Sequence, residues 1–425
     1  MPSIRKRGSS YQITVSNGRD VNGRQLIETT TFVPDPLKTE KQNQKALRLF
    51  ALEFEKQVHE GKYLSGEQLT YSKYIEMWMK DYAEKQMQQN TIDRTDGIFK
   101  GIVLPVLGHL KLSEIRPLHI QKLYDSLMKN GYEKGGKHHE YSPNTIKRIH
   151  QAISSSLSTA VYWQLIESNP CQRVKPPKVE KQPDVQHFTL EQAQTFLDFL
   201  DVPYMTSTGG RRHRDGSPSN RHYQERTVPL QIKVFFYLAL FGGFRRGELL
   251  ALTWDDINYA EHTIEISKAV AVTKQGVFTK SPKNYTSNRT VTMPPVCMEQ
   301  LKKLEIYQKE YRLQLGNRWH GENYVFIQDD GKLIHDSTPN NTLKKIIRRY
   351  NEDPTHTEKL PEITLHGLRH TSATLLIAYN TDIKTVSGRL GHANTSTTIN
   401  IYAHALRKKD EEAADSLSEL FKQHG

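Results

Sequence analysis

Thr364-Leu-His-Gly-Leu-Arg-His-Thr371, followed by Leu390-Gly-His392 and then Ile401-Tyr402, is the stretch around which the rest of the chain can be organised. It sets histidines, an arginine and a tyrosine at short intervals near the C-terminus. Far upstream, Phe241-Gly-Gly-Phe-Arg-Arg-Gly-Glu248 supplies a second arginine where the apolar run from Val234 to Phe241 ends. A guanidinium fork binds two phosphate oxygens at once, and its charge does not titrate away near neutral pH. With histidines to handle a proton and a tyrosine hydroxyl as nucleophile, the set suits attack on a phosphodiester.

Each residue also has a plainer reading. A tyrosine near a C-terminus is commonly a packing residue with a wet hydroxyl, and Arg245 and Arg369 could each serve an ion pair. His366 and His370, four apart, could present metal ligands on one helix face. The chain has no HExxH pattern and only Cys171 and Cys297, far apart in sequence, so neither a metal nor a disulfide framework is expected. Order and spacing together favour the chemical reading.

That order resembles the tyrosine recombinases, the integrases of phages and mobile elements. Gly243-Phe-Arg245-Arg-Gly-Glu248-Leu249 is similar to the family's first arginine motif, His366-Gly-Leu-Arg369 to its His-x-x-Arg, and Leu390-Gly-His392 and Tyr402 to its last elements. Lys283, in Ser281-Pro-Lys-Asn-Tyr-Thr-Ser-Asn-Arg289, is similar to the family's hairpin lysine. The resemblance implies that Arg245, Lys283, His366, Arg369, His392 and the nucleophile Tyr402 form the catalytic set, with Glu248 in support and no cofactor. It also implies a 3′-phosphotyrosyl intermediate. Asn284, Gly242 and Asn380 depart from the commoner Thr, Thr and Gly, and none of these positions carries a reacting group. Asn380 still permits a left-handed helix end.

Composition agrees with a nucleic-acid partner. Against 47 Asp+Glu stand 59 Lys+Arg, a formal charge of +12 over 425 residues, and such a field favours phosphate backbones. A 36% hydrophobic content suffices for two or three cores. The N-terminus, Met1-Pro-Ser-Ile-Arg-Lys-Arg7, lacks an apolar signal-peptide core, and no apolar run is long enough to span a bilayer. The expectation is a cytoplasmic, DNA-associated protein of a bacterial host, without a membrane partner.

The fold expected is multidomain α+β. Residues 1–65 read as a small β-sheet with one helix. Tyr11 to Val15 alternates, Ser16-Asn-Gly18 and Asn22-Gly23 favour turns, Gln25 to Val33 is β-prone, and Leu47, Phe50, Phe54 and Val58 fall on a helical stripe. Residues 66–174 read as helical throughout, with Ser142-Pro143 opening one helix. Residues 175–187 form a proline-containing linker. Residues 188–425 read as mainly α with a small antiparallel sheet, interrupted by a polar loop at 206–226 that carries Arg211, Arg212, Arg214 and Arg221. Ala403 to Gly425 reads as a polar linker and a short amphipathic helix.

By resemblance, the first domain binds arm-type DNA through Arg5, Lys6, Arg7 and Arg19. The second is the core-binding domain, with Lys147 and Arg148 along the phosphate backbone, and the third is catalytic. The implied partners are double-stranded DNA with core-type and arm-type attachment sites, three further copies in a homotetramer, and an excisionase or host DNA-bending protein. The competing readings are a type IB topoisomerase-like enzyme, which shares this chemistry, and a catalytically inactive DNA-binding regulator.

Overall fold

The computed structural model describes residues 2–19, 23–59, 69–179, 186–208, 222–273, 276–280, 288–392, 395 and 398–399. The chain divides into two compact units, Met1–Lys181 and Gln182–Gly425.

In the first unit, β1 (Ser3–Arg7), β2 (Ser10–Arg19) and β3 (Gln25–Phe32) form an antiparallel sheet in that order. Ile13 and Val15 of β2 pack on α1 (Glu40–His59) through Leu47, Ala51, Phe54 and Val58. The stripe therefore runs through Ala51 rather than Phe50, whose ring sits at the flank, 5.6 Å from Phe32. The turn expected at Ser16–Gly18 is instead a register shift inside β2. Strand β1 is exposed along its whole length, and Arg5, Lys6 and Arg7 lie on it.

The helical part opens with α2 (Tyr71–Trp78), which passes through a π turn at Met79–Ala83 into α3 (Glu84–Gln86). Next come α4 (Gln89–Ile98), a second π turn at Phe99–Val103 and α5 (Leu104–Leu107). Pro105 supplies no backbone donor, and the widened turn carries the helix up to it with the Leu104 N–H on the Phe99 carbonyl. Then follow α6 (Pro117–Asn130) and α7 (Pro143–Tyr162), the latter capped by Ser142 Oγ, 3.2 Å from the Thr145 N–H.

Aromatic residues of α2 dominate the core. The Tyr71 hydroxyl meets Ser156 Oγ at 2.9 Å, and Trp78 packs edge-on to Phe99. The region is not helical throughout. Between α6 and α7, β4 (Tyr132–Lys134) pairs with β5 (Lys137–His139), held by the stacked rings of Tyr132 and His139. Lys147 and Arg148 lie exposed on α7.

The second unit is built round α9 (Leu230–Gly242), which is apolar on every side and buried accordingly. Against its core lie α8 (Leu190–Phe199), α11 (Pro295–Leu315), α12 (Thr338–Glu352) and α13 (Leu365–Ala378). The sequence reads 206–226 as a loop, yet its ends pair as β6 (Tyr204–Thr208) and β7 (His222–Arg226). The Arg349 guanidinium lies 4.4 Å from the Phe199 ring and 4.3 Å from the Tyr204 ring, which fixes the base of this stem. Arg211, Arg212, Arg214 and Arg221 fall outside the described residues.

Helix α10 (Arg246–Leu250) follows α9 after a short break. Strands β8 (Ile257–Asn258) and β9 (Thr263–Ile266) belong to one sheet, β10 (Ala269–Thr273) and β11 (Gly276–Lys280) form a separate hairpin, and β12 (Arg289–Thr292) returns to pair with β9. Helix α14 (Ile383–Leu390), short and not evident from the sequence, follows α13. Asn380 does adopt the left-handed conformation, with φ 63°.

Candidate active site

Chain direction at the end of α9 is set by Gly243, in the left-handed region at φ 62°. A Cβ there would meet the Leu390 side chain at 2.7 Å, so a side chain is excluded by space as well as by backbone strain. The turn delivers Arg245 as the N-cap of α10. Glu248, one turn on, accepts the Arg245 backbone N–H on Oε2 at 2.9 Å and its side-chain Nη1 on Oε1 at 2.8 Å. The Arg245 side chain remains 40% exposed while the Glu248 carboxylate is buried.

Helix α13 carries His366 in its first turn and Arg369 in its second. Phe188 donates its backbone N–H to Thr371 Oγ1 at 3.0 Å, tying this helix to the start of the unit. His366 is exposed and Arg369 is only 2% exposed, so His366 lies at the surface and Arg369 beneath it. The buried His370 ring stands edge-on to His366 with centroids 4.6 Å apart.

Helix α14 joins these parts. The last carbonyls of a helix have no partner within it and carry its negative end. Here they are taken by arginines from three other segments. Arg289 Nε donates to the Arg389 carbonyl at 2.8 Å, Arg369 Nη2 to Leu390 at 2.7 Å, and Arg245 Nη2 to Gly391 at 2.8 Å. Arg369 also donates Nη1 to the Gly243 carbonyl at 2.6 Å, linking the end of α9 to the end of α14. Gly391, left-handed at φ 65°, then turns the chain to His392, whose Nδ1 lies 2.8 Å from Thr398 Oγ1.

Burial, reinforced by the cluster of positive charge, keeps the histidines neutral. Burial first, then Arg369, Arg245 and Arg289, push His392 down to about 4. Burial, His366, Arg369 and His187 push His370 down to about 4, and burial with Arg369 and Arg245 lowers His366 as well. Glu248 behaves oppositely. Burial alone would raise it, but hydrogen bonds and charge from Arg289, and then Arg245, hold it below the ordinary carboxylate range. The site thus combines fixed cations with neutral imidazoles able to accept a proton.

Arg245, Glu248, His366, Arg369 and His392, separated by up to 147 positions in the sequence, come together here. Lys283 and Tyr402 lie outside the described residues, and β11 ends at Lys280, three residues short of Lys283. Among the described residues no group of His, Cys, Asp and Glu is arranged to hold a metal ion. None of the described helices is long and apolar enough to cross a membrane.

Comparison with known proteins gives this arrangement its family. Residues 220–409 match the Phage integrase family and residues 70–128 the N-terminal SAM-like domain of phage integrases. The chain is a tyrosine recombinase. It is 26% identical over 429 residues to a XerC-like tyrosine recombinase of Caldanaerobacter subterraneus, covering 97% of this chain and 96% of that protein. It is 27% identical over 280 residues to the ICEBs1 integrase of Bacillus subtilis, covering 66% of each. The fold matches that of the Tn1549 transposon integrase in complex with a circular-intermediate DNA, at TM-score 0.62 and 18% identity, over 81% of this chain and all of that one.

In the sequence of this recombinase Arg289 stands only as the end of the lysine motif, and Arg389 belongs to no motif. Arg289 is 7% exposed at its side chain and makes a second ion pair to Glu248, 2.8 Å from Nη2 to Oε2. Arg389 donates Nη2 to the Phe241 carbonyl at 2.8 Å. Neither carries a spacing signal, because both act on backbone atoms or on a partner far away in sequence.

Proposed function

We propose that this tyrosine recombinase integrates and excises a mobile element by breaking and rejoining DNA at specific sites, with Tyr402 as the nucleophile. The observation that carries the reading is the convergence of Arg245, Arg369 and His392 on the end of α14, Arg245 and Arg369 each fixed on one of its carbonyls. Tyr402 follows His392 by ten residues and would reach a phosphate held over this cluster.

The Tyr402 oxygen attacks phosphorus, the bond to the 5′-oxygen breaks, and a 3′-phosphotyrosyl link and a 5′-hydroxyl result. Because the phosphoester energy is kept in the covalent link, the reverse attack by a 5′-hydroxyl rejoins the strand without ATP. Arg245, from the exposed side, and Arg369, from beneath it, stabilise the charge on the nonbridging oxygens. Preorganised donors of this kind are worth about 3–4 kcal/mol each in a transition state.

A tyrosine of ordinary pKa near ~10 needs a base or a positive surrounding. The neutral His366 and His392 supply the one and the arginines the other. With Nδ1 of His392 engaged by Thr398, Nε2 is its atom for proton exchange. Lys283 protonates the leaving 5′-oxygen, and Glu248 buttresses Arg245.

In the same reading, residues 1–65 bind arm-type sites through Arg5, Lys6, Arg7 and Arg19. Residues 66–174 bind core-type sites with Lys147 and Arg148 on the backbone, 175–187 link the parts, and 188–425 are catalytic. The working form is a homotetramer on two duplexes in a bacterial cytoplasm, aided by an excisionase or host DNA-bending protein. Relaxation of supercoils by a lone topoisomerase-like enzyme would leave the exposed basic strand β1 without a purpose.

The test is Tyr402→Phe on a nicked suicide duplex. The variant should bind duplex as the wild type does and form no covalent protein–DNA adduct. Adduct at wild-type yield would remove Tyr402 from the mechanism.

A further inference from the structure

Among the described arginines that other segments place on the α14 terminus, Arg289 alone has no task in the proposed reaction. Its position is unusually constrained. From β12 it reaches both oxygens of Glu248, Nη1 to Oε1 at 3.2 Å and Nη2 to Oε2 at 2.8 Å, and donates Nε to the Arg389 carbonyl. Those same two Glu248 oxygens hold the backbone and the side chain of Arg245. On the opposite side, a Cβ on Gly391 would lie 2.7 Å from Arg289 Nη1, so the guanidinium fills the space beneath the turn that leads to His392. One planar group therefore spans the sheet, the α10 cap and the end of α14.

We propose that Arg289 is a positioning residue for strand cleavage: through Glu248 it fixes the guanidinium of Arg245, and through the Arg389 carbonyl and the Gly391 turn it fixes the segment that bears His392. Geometry and charge balance both support this. A buried carboxylate held by Arg245 alone would have one cation that must also serve a phosphate. With Arg289 as a second, permanently buried cation, Glu248 stays ionised and Arg245 keeps its charge for the substrate. A planar fork is also required, because Glu248 and the Arg389 carbonyl are engaged by different nitrogens of one guanidinium, which an ammonium cannot reproduce. A displacement of about 1 Å in a positioned group can cost about 10²-fold in rate.

The inference rests on the proposed role of Arg245 at the scissile phosphate, and the experiment separates the two. Single-turnover adduct formation is measured on a suicide duplex with either a normal scissile phosphate or a methylphosphonate, which lacks one nonbridging charge. Arg245→Ala, Arg289→Gln and Arg289→Lys are compared in the full-length protein, with duplex affinity measured in parallel.

On the normal substrate, Arg289→Gln should cleave about 10²-fold more slowly with affinity changed less than about threefold, and Arg289→Lys should recover only a minor part. On the methylphosphonate the penalties of both Arg245→Ala and Arg289→Gln should shrink together, since the charge that Arg245 meets is gone. If Arg245→Ala is relieved while Arg289→Gln keeps its full penalty, Arg289 does not act through Arg245 and the inference is overturned. If Arg245→Ala is not relieved, the phosphate role of Arg245 fails instead. Should Arg289→Gln fail to fold, the same comparison is made with Arg289→Lys, which keeps a cation and removes the fork between Glu248 and the Arg389 carbonyl. Relief of its penalty on the methylphosphonate supports the inference, and an undiminished penalty overturns it.

Discussion

The exposed strand β1 and the end of α14 use basic residues in opposite ways. Arg5, Lys6 and Arg7 stand along β1 with every residue of the strand open to solvent. Arg245, Arg289 and Arg369 are each held on a particular backbone carbonyl, and Arg289 and Arg369 are almost wholly buried. Solvated charges act over a Debye length, tolerate substitution and weaken with salt. Charges fixed by the fold act at one place and need no reorganisation when a phosphate reacts. The first arrangement suits holding a polyanion and the second suits chemistry on it.

The sharpest way to break this contrast is Arg369→Lys. A single ammonium cannot reproduce the fork that joins the Gly243 and Leu390 carbonyls. Adduct formation on a suicide duplex should fall by about 10²–10³-fold with the total charge unchanged. Near-wild-type cleavage would mean that charge alone, not its placement, matters at α14.

A smaller effect is expected at β1. Arg5→Ala with Arg7→Ala should weaken arm-site duplex binding roughly tenfold at moderate salt and leave core-site cleavage as it was. The slope of log affinity against log salt should flatten by about 0.9 for each phosphate that the strand no longer neutralises. A loss of cleavage on an isolated core site would show that the strand serves the chemistry directly.

Acidification should produce a milder, shifted response. His370 and His392 are pushed down to about 4 in the folded chain, against an ordinary imidazole near ~6.5. The second-order cleavage rate, which reports groups of the free protein, should stay level as pH falls through the ordinary range and decline only toward about 4. An acid limb near 6.5 would mean that the working histidine lies in an unperturbed environment. Stability follows the same sign. Below about 6.5 the unfolded chain binds protons that the folded chain refuses, so the melting temperature should drop progressively toward pH 4.

No effect at all is expected from chelation. The guanidinium groups already supply fixed positive charge, so cleavage in excess EDTA should match the untreated rate. A large loss restored by added Mg²⁺ would overturn the arginine-based account.

The residues proposed to react stand out in the sequence because chemistry limits their types and the helices limit their spacing. His366 and Arg369 lie three apart on α13, and Glu248 reads as the partner of Arg245 because it closes the α10 cap. The supporting interactions are not legible. Arg289 and Arg389 engage carbonyls, which every residue possesses, and the partners lie 100 and 148 positions away.

Short elements escape for a related reason. Strand β1 buries nothing, so no alternation marks it. The β4–β5 hairpin is held by the Tyr132–His139 stack rather than by an apolar face. Phe50 falls on the apolar stripe by spacing, but Ala51 holds the inward position on α1 and the phenylalanine covers its edge.

The carbonyls at the end of α14 also bear on how the protein is made. Arg245 leaves the ribosome 146 residues ahead of Gly391, the carbonyl it will engage. At about 5–20 residues per second this is a delay of roughly 7–30 s. During that interval Arg245 has Glu248 beside it but lacks the Gly391 carbonyl that completes its anchoring. The cluster at α14 is thus completed only once residues far along the sequence have been made, although Arg245 and Arg289 come much earlier.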